Sequence, residues 1–92
     1  MDVADLEVFE AVVRHGSMNR AATELNTVQS NVTARIRALE REVGVVLLQR
    51  HVRGVSMTPA GQRLLPYAAR IAKLITAISK VEWLMQLTRH VG

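Results

Sequence analysis

The sequence contains no cysteine, two prolines and three aromatic residues among its 92 positions. Without cysteine, the chain cannot form a disulfide framework or a zinc site with thiolate ligands. With so few aromatic residues, the core must be built mainly from aliphatic side chains, which fits a hydrophobic content of 49%. A chain of this length supports one domain with one modest core.

Long apolar runs are also missing. No stretch approaches the roughly 18 consecutive apolar residues of a membrane span. The first ten residues, MDVADLEVFE, contain acids in place of the basic segment that opens a signal peptide. We therefore expect a cytoplasmic protein without membrane contact. A helix lying on a membrane surface is the alternative for residues 59–88, although bulky aromatic residues are scarce there.

Signatures of catalysis and of cofactor binding are absent from the sequence. The three histidines are scattered and lack the spacing of metal ligands. We find no nucleophile with a nearby base, no phosphate-binding loop and no dinucleotide fingerprint. The sequence therefore predicts a protein that is not an enzyme and holds no metal or cofactor.

Charge is distributed unevenly along the chain, whose net charge is +4. Residues 1–10 contain four acids and no base, whereas residues 43–92 contain seven bases and one acid. A one-sided basic surface suits an anionic partner, most commonly nucleic acid. The alternative is a basic surface that serves only solubility.

The first half of the chain predicts three helices. In the first, Leu6, Phe9 and Val13 follow helical spacing between an N-cap at Asp2 and a stop at Gly16. A second helix begins after Ser17 and has apolar residues at i, i+3, i+4 and i+7: Met18, Ala21, Ala22 and Leu25. A third is expected over 28–43, ended by Gly44, with an inward face of Val32, Ile36, Leu39 and Val43. Two short helices joined by a tight turn make a helix-turn-helix, here over about 18–37.

The second half predicts a hairpin and a long helix. Alternating residues on both sides of Arg53-Gly54 predict a small β-hairpin over about 46–58; a helix followed by an irregular loop is the alternative. Thr58-Pro59 then begins a helix that we expect to reach about Thr88, with a capping hydroxyl followed by proline at the first helical position. Pro66 should kink or loosen this helix locally.

Apolar residues of the last helix recur in steps of four and three, as in helices that pack against one another. They are Tyr67, Ile71, Leu74, Ile78, Val81 and Met85, which we call the heptad seam. The seam predicts a homodimer; packing against the chain's own domain is the alternative.

The outer face of the third helix is the principal candidate for DNA binding. Recognition helices enter the major groove with their N-terminal residues nearest the bases, where Gln and Asn can bind adenine and Thr can contact a thymine methyl. The alternative is an ordinary solvated face. The expected DNA-contacting residues of this helix are Gln29, Ser30, Asn31, Thr33, Ala34 and Arg37.

Two further regions complete the predicted site. Arg53 at the hairpin tip is expected to enter the minor groove, whose negative potential attracts arginine. The alternative for Arg53 is an ordinary exposed turn residue. Arg50 is expected to contact a phosphate. The start of the second helix offers Ser17, Asn19 and Arg20 to phosphate. Ser17 is equally well explained as a helix cap alone.

Three segments together resemble the N-terminal domain of LysR-type transcription regulators: DLEVFEAVVRHGSMNRAATELN, VQSNVTARIRALEREVGVVLLQR and HVRGVSMTPAGQRLL. The resemblance implies a mainly α fold: a winged helix-turn-helix over 1–58, with three helices and a β-hairpin wing, then a dimerising linker helix over 59–92. It implies double-stranded DNA with dyad-symmetric sites as the partner. It also implies that a small-molecule effector is expected only for a further C-terminal domain. Proteins of this family are expected to assemble as tetramers that bend DNA. The runner-up is a winged helix of another family, such as the MarR-like group, and a fold that binds only proteins is a third reading.

By this resemblance, positions 29, 30, 33 and 34 are where the recognition helix meets DNA, and Arg53 is the wing arginine. The sequence departs from the family pattern at three positions. Val28 stands where the family commonly has serine, so Thr27 is expected to cap the helix in its place, or the first turn to fray. Ser30 replaces a common proline, and Ala34 replaces a side chain that is often long and polar, so a contact is expected to be missing there.

Overall fold

The computed structural model describes the backbone of residues 1–91 and the side chains of residues 1–87; Gly92, the last residue of the predicted 59–92 segment, lies outside it. Three short helices precede a two-stranded antiparallel hairpin and a long helix. In chain order the elements are α1 (Val3–His15), α2 (Met18–Glu24), α3 (Gln29–Val43), β1 (Leu48–His51), β2 (Gly54–Met57) and α4 (Pro59–Val91). The predicted winged helix-turn-helix followed by a long helix is confirmed.

Local capping explains where the first two helices begin. The Asp5 amide donates to the Asp2 carboxylate at 2.9 Å, and the Asp2 amide donates back to Asp5 at 3.3 Å, forming a capping box. Ser17 Oγ accepts from the Arg20 amide at 3.1 Å and caps α2. Gly16, at φ 63°, ends α1 in the left-handed conformation. These three predictions are confirmed.

The start of α3 departs from expectation. The helix begins at Gln29, and its N-cap Val28 offers no side-chain acceptor. The expectation that Thr27 caps the helix is wrong, because Thr27 Oγ1 accepts instead from the side-chain amide of Asn31 at 2.9 Å. The first turn of α3 is nevertheless helical from Gln29 onward.

The core lies between α1 and α3, with α2, the hairpin and the first part of α4 closing it. Its largest fully buried side chains are Phe9, Val12, Val32 and Leu39. Ala21 and Ala22 are also buried, and their small size lets α2 approach both neighbours closely.

The expectation that Val43 faces inward is wrong. Val43 is 38% exposed, whereas Leu47 is only 2% exposed. The chain leaves α3 at Gly44, at φ 75°, and the following loop brings Leu47 and Leu48 into the core. The inward register of α3 therefore ends at Leu39.

The hairpin pairs Leu48 with Met57 and His51 with Gly54, so residues 52–53 form its tip. Two contacts hold it to the helices. The Val55 amide donates to the Gly16 carbonyl at 3.1 Å, and the Glu40 carboxylate accepts from the amides of Leu47 and Leu48 at 2.7 and 3.2 Å. The wing is therefore anchored to both ends of the helix-turn-helix.

The long helix α4 begins as the sequence predicts and is continuous across Pro66. Thr58 Oγ1 accepts from the Gly61 amide at 3.1 Å and donates to the Val46 carbonyl at 2.7 Å. Ala68 is fully buried, whereas the later part of α4 extends away from the core and gives the chain a long dimension of 54 Å.

An ion-pair network joins the end of α1 to α2. Arg14 donates to Glu24 at 2.7 Å and to Glu10 at 2.9 Å, and His15 Nε2 lies 3.0 Å from Glu24. Hydrogen bonds from Arg14, then from His15, lower the pKa of Glu24 to about 2. Glu24 in turn, with Glu10, raises the pKa of the Arg14 guanidinium.

Glu24→Gln should therefore destabilise the protein at neutral pH but not at strongly acidic pH. Because the folded pKa is depressed from 4.5 to about 2, the carboxylate's contribution is present above pH 4.5 and is lost as the pH falls toward 2. The measurement is the urea midpoint of both proteins across this range. Glu7→Gln is the control, since Glu7 forms no ion pair within residues 1–87. A midpoint difference that is independent of pH would contradict the assignment.

Candidate nucleic-acid interface

One face of α3 is open to solvent along its length. Val32, Ile36 and Leu39 are 1–2% exposed and face the core. The opposite side is exposed at Gln29, Ser30, Ala34, Arg37 and Arg41, with Thr33 partly buried. The amphipathic pattern therefore positions the polar face that the sequence analysis singled out.

This face and strand β1 together form a concave surface. We call it the α3–wing surface; it is lined by Gln29, Ser30, Thr33, Ala34, Arg37, Arg41 and Arg50. A second cleft continues from it, because Gln29 and Arg50 also line a depression with Ser17 and Asn19 at the start of α2. Predicted site residues from three separate elements thus lie side by side.

The α3–wing surface has a strongly one-sided charge. Its lining includes the guanidinium groups of Arg37, Arg41 and Arg50 and, within the described side chains, no acid. Two arginines outside this surface have carboxylate partners: Arg14 bonds to two glutamates, and Arg35 lies 3.1 Å from Asp5. Arg37, Arg41 and Arg50 form no ion pair within side chains 1–87, so the place where the exposed face of α3 meets the wing keeps a positive charge that suits an anionic partner.

A side-chain hydrogen bond links the wing to α3. Arg50 Nη2, on β1, donates to Thr33 Oγ1 at 2.7 Å. The acceptor is neutral, so the bond positions the guanidinium without cancelling its charge.

Other predicted site residues lie apart from the α3–wing surface. Asn31 lines a different groove, together with residues of α1 such as Glu7, and its amide is bonded to Thr27. Arg20 is exposed on α2 outside both clefts. Arg53 is exposed at the wing tip beside Val52, whose side chain is fully exposed.

The cap role of Ser17 is confirmed by its bond from the Arg20 amide. Its hydroxyl hydrogen remains a potential donor, because a serine hydroxyl both accepts and donates. A phosphate contact from Ser17 is therefore compatible with the cap.

Comparisons with known proteins agree with this geometry. Residues 3–62 match the model of the lysR family of bacterial regulatory helix-turn-helix proteins. The chain belongs to the LysR family. It is 44% identical over 81 residues to the HTH-type transcriptional regulator CzcR of Bacillus subtilis, covering 88% of this chain and 28% of that protein. It thus spans about a quarter of the length of such curated relatives.

Solved structures show the same fold. A CbnR_DBD–DNA complex superposes with a TM-score of 0.77 at 36% identity and covers 92% of this chain and 98% of that one. The complex of BenM_DBD with catB site 1 DNA superposes with a TM-score of 0.71 at 33% identity and covers 99% and 96%. These matches support the winged helix-turn-helix of this LysR-family chain and its long last helix.

Sequence reasoning missed two residues that shape the interface of this LysR-family chain. Glu40 was not predicted to contact DNA, but its carboxylate accepts hydrogen bonds from the amides of Leu47 and Leu48 and so holds the loop that leads into the wing. Gly54 lies against the Gly16 carbonyl, which a Cβ at position 54 would approach to 2.4 Å. In the sequence, the only sign of this close contact with Gly16 was the glycine in the predicted turn Arg53-Gly54.

Metal-binding clusters and membrane-spanning helices were both predicted to be absent, and the structure bears on them only within the residues that it describes. No group of three or more His, Cys, Asp or Glu side chains there could hold a metal ion. No helix there has both the length and the apolar character needed to cross a membrane. The matching family and the curated relative named above are described as regulatory helix-turn-helix proteins.

Proposed function

We propose that this chain is the DNA-binding part of a LysR-type transcription regulator that recognises a specific operator sequence as a dimer. The observation that supports this most strongly is the α3–wing surface, where three arginines and no acid line the exposed face of a helix. Two structural relatives of high coverage are DNA complexes, which supports the same function here.

In this proposal the N-terminal half of α3 enters the major groove. Gln29 binds an adenine edge through its amide, and Thr33 contacts a thymine methyl. Ser30 and Ala34 lie against the bases, Arg37 and Arg41 contact phosphates, and Asn31 contributes at the edge. Ser17, Asn19 and Arg20 bind the backbone next to α2, which positions α3 without specifying sequence.

The wing tip contacts the minor groove. Arg53 is exposed at a two-residue turn, and Gly54 beside it adds no side chain. Narrow A·T-rich minor grooves have enhanced negative potential that attracts arginine.

Dimerisation through the heptad seam places two copies of α3 on one operator. Five of the six seam residues are 47–62% exposed, and Ile71 is partly exposed, so the chain's own domain does not cover them. Pairing two such helices removes this apolar surface from water. The two copies of α3 then face successive major grooves, roughly 34 Å apart.

The segments of this chain and a further domain have separate roles in the longer protein. Residues 1–58 form the DNA-binding unit, and residues 59–92 the linker helix that pairs with a second copy. A small-molecule effector is bound by a further domain of the full-length protein, which acts on DNA in the cytoplasm and assembles beyond the dimer.

Gln29→Ala tests the proposed reader. We expect a loss of about 1–3 kcal/mol in operator binding and relaxed preference at one adenine in each half-site. The measurement is binding by fluorescence anisotropy to the operator and to versions substituted at single base pairs. Gln62→Ala is the control, because Gln62 is exposed on α4 away from the α3–wing surface. Unchanged affinity and preference in Gln29→Ala would show that α3 is not the reader.

Arg53→Gln tests the wing contact. We expect binding to weaken by about 1.5–3 kcal/mol on operators with A·T flanks, since an ionised hydrogen bond is lost. Flanks of inosine·cytosine should behave like A·T, because both lack the guanine amino group in the minor groove. On operators with guanine·cytosine flanks, Arg53→Gln should weaken binding least. Equal losses on all three flanks would contradict a minor-groove role.

A further inference from the structure

Arg50 and Thr33 form the direct side-chain link between the wing and the reading face of α3. The 2.7 Å bond joins Nη2 of Arg50 to Oγ1 of Thr33, 17 positions apart in sequence. Both residues line the α3–wing surface. Arg50 lies within β1, paired with Val55, so its backbone is held by the hairpin. The Arg50 side chain is thus held at its base by the hairpin and at its guanidinium by Thr33.

The chemistry of this pair differs from that of the other bonded arginines. Arg14 and Arg35 donate to carboxylates, which neutralise them. Thr33 offers a neutral hydroxyl, so Arg50 keeps its full charge. A guanidinium has five N–H donors, and one suffices for Thr33. The remaining donors are available to an anion such as a DNA phosphate, to which arginine can bond in a bidentate manner.

Thr33 has two groups on its Cβ, a hydroxyl and a methyl. The hydroxyl is engaged by the wing, which leaves the methyl as the group for a base edge. Thymine is the base that presents a methyl in the major groove, and apolar contact with it is a recognised means of reading.

We propose that Thr33 has two separable roles, its hydroxyl positioning Arg50 on a DNA phosphate and its methyl contacting one thymine. This inference rests on the proposed function, since it assigns roles within that interface. Thr33 is then a positioning residue for Arg50 as well as a base contact. Holding the arginine in place before binding lowers the entropy cost of ordering it on DNA.

Two substitutions at position 33 separate the roles. Thr33→Val keeps a methyl and removes the hydroxyl, whereas Thr33→Ser keeps the hydroxyl and removes the methyl. We expect Thr33→Val to weaken binding about three- to tenfold, the range expected for releasing one long side chain. Arg50→Ala should then cost much less affinity in the Thr33→Val background than in the original protein. In the Thr33→Ser background its cost should be unchanged.

Thymine contact is measured on operators in which single thymines are replaced by deoxyuridine, which lacks only the methyl. One position in each half-site should weaken binding of the original protein and of Thr33→Val, but not of Thr33→Ser. Thr23→Val is the control: its hydroxyl donates to the Asn19 carbonyl at 3.2 Å, and it does not line the α3–wing surface. Urea unfolding of each variant checks that the fold is retained, as expected for exposed and partly buried positions.

Additive effects of Thr33→Val and Arg50→Ala would overturn the positioning role. A deoxyuridine profile that is the same for Thr33→Ser and the original protein would overturn the methyl contact. Failure of the proposed function is distinguishable from both, because the original protein would then bind no operator and Gln29→Ala would change nothing.

Discussion

Replacing Leu74 and Ile78 together by aspartate should convert the protein to monomers and weaken operator binding by about a hundredfold or more. Both side chains are more than half exposed in the single chain, at 61% and 55%, so the change removes no core contact. In a dimer it would bury four unpaired carboxylates, which is strongly unfavourable. Loss of the linkage between two half-sites removes an avidity that commonly reaches about 10²–10⁴.

Sedimentation velocity measures the first effect, and anisotropy on one-half-site and two-half-site duplexes measures the second. Thr76→Asp with Ser79→Asp is the matched control, because it adds the same charge at exposed positions of α4 outside the heptad seam. We expect this control to remain dimeric. Persistent dimers in the Leu74 and Ile78 variant would show that the seam is not the interface.

Gly54→Ala should lower the free energy of unfolding by about 3–5 kcal/mol. Two penalties combine at this position. Its φ of 136° is disfavoured for any residue with a Cβ, and that Cβ would lie 2.4 Å from the Gly16 carbonyl oxygen, which is backbone and cannot move aside. The Val55–Gly16 hydrogen bond that anchors the wing would be lost with it.

Gly44→Ala separates the two penalties. Gly44 also has positive φ, at 75°, but a Cβ there would meet no atom within 4 Å. Its expected cost is only about 1–2 kcal/mol, the cost of the left-handed conformation alone. Urea unfolding of both variants gives the comparison. Equal costs would show that the wing does not pack against Gly16 as closely as the structure indicates.

Features governed by neighbours in sequence could be predicted from the sequence. The capping of α1 by Asp2 and of α2 by Ser17, and the stop at Gly16, depend on residues within one turn. The outward face of α3 followed from helical spacing, because Val32, Ile36 and Leu39 can face only one side.

Features governed by distant contacts could not. Glu40 is bound to the amides of Leu47 and Leu48 across a loop, and periodicity carries no information about that loop. The same loop brings Leu47 into the core and leaves Val43 outside it. The Arg50–Thr33 bond needs the wing to be placed against α3, which only the packed fold specifies.

The expected contacts of individual residues with DNA, the pairing through the heptad seam and the boundary near residue 58 stay predictions. The structure gathers most of the expected DNA-contacting residues on or beside one basic concave surface, but Asn31 lies in another groove. Asn31 therefore has the weakest structural support among them, since its side chain is already bonded to Thr27.

Selection from a pool of random DNA duplexes, read by sequencing, tests most directly whether the outer side of α3 reads bases in a twofold assembly. Enriched duplexes should contain one short motif twice, in inverted orientation, with centres about 10 base pairs or a small multiple of that apart. Selection with Gln29→Ala should weaken the preference for the same adenine in both copies of the motif. Enrichment of single or directly repeated motifs, or a profile that Gln29→Ala leaves unchanged, would contradict the account.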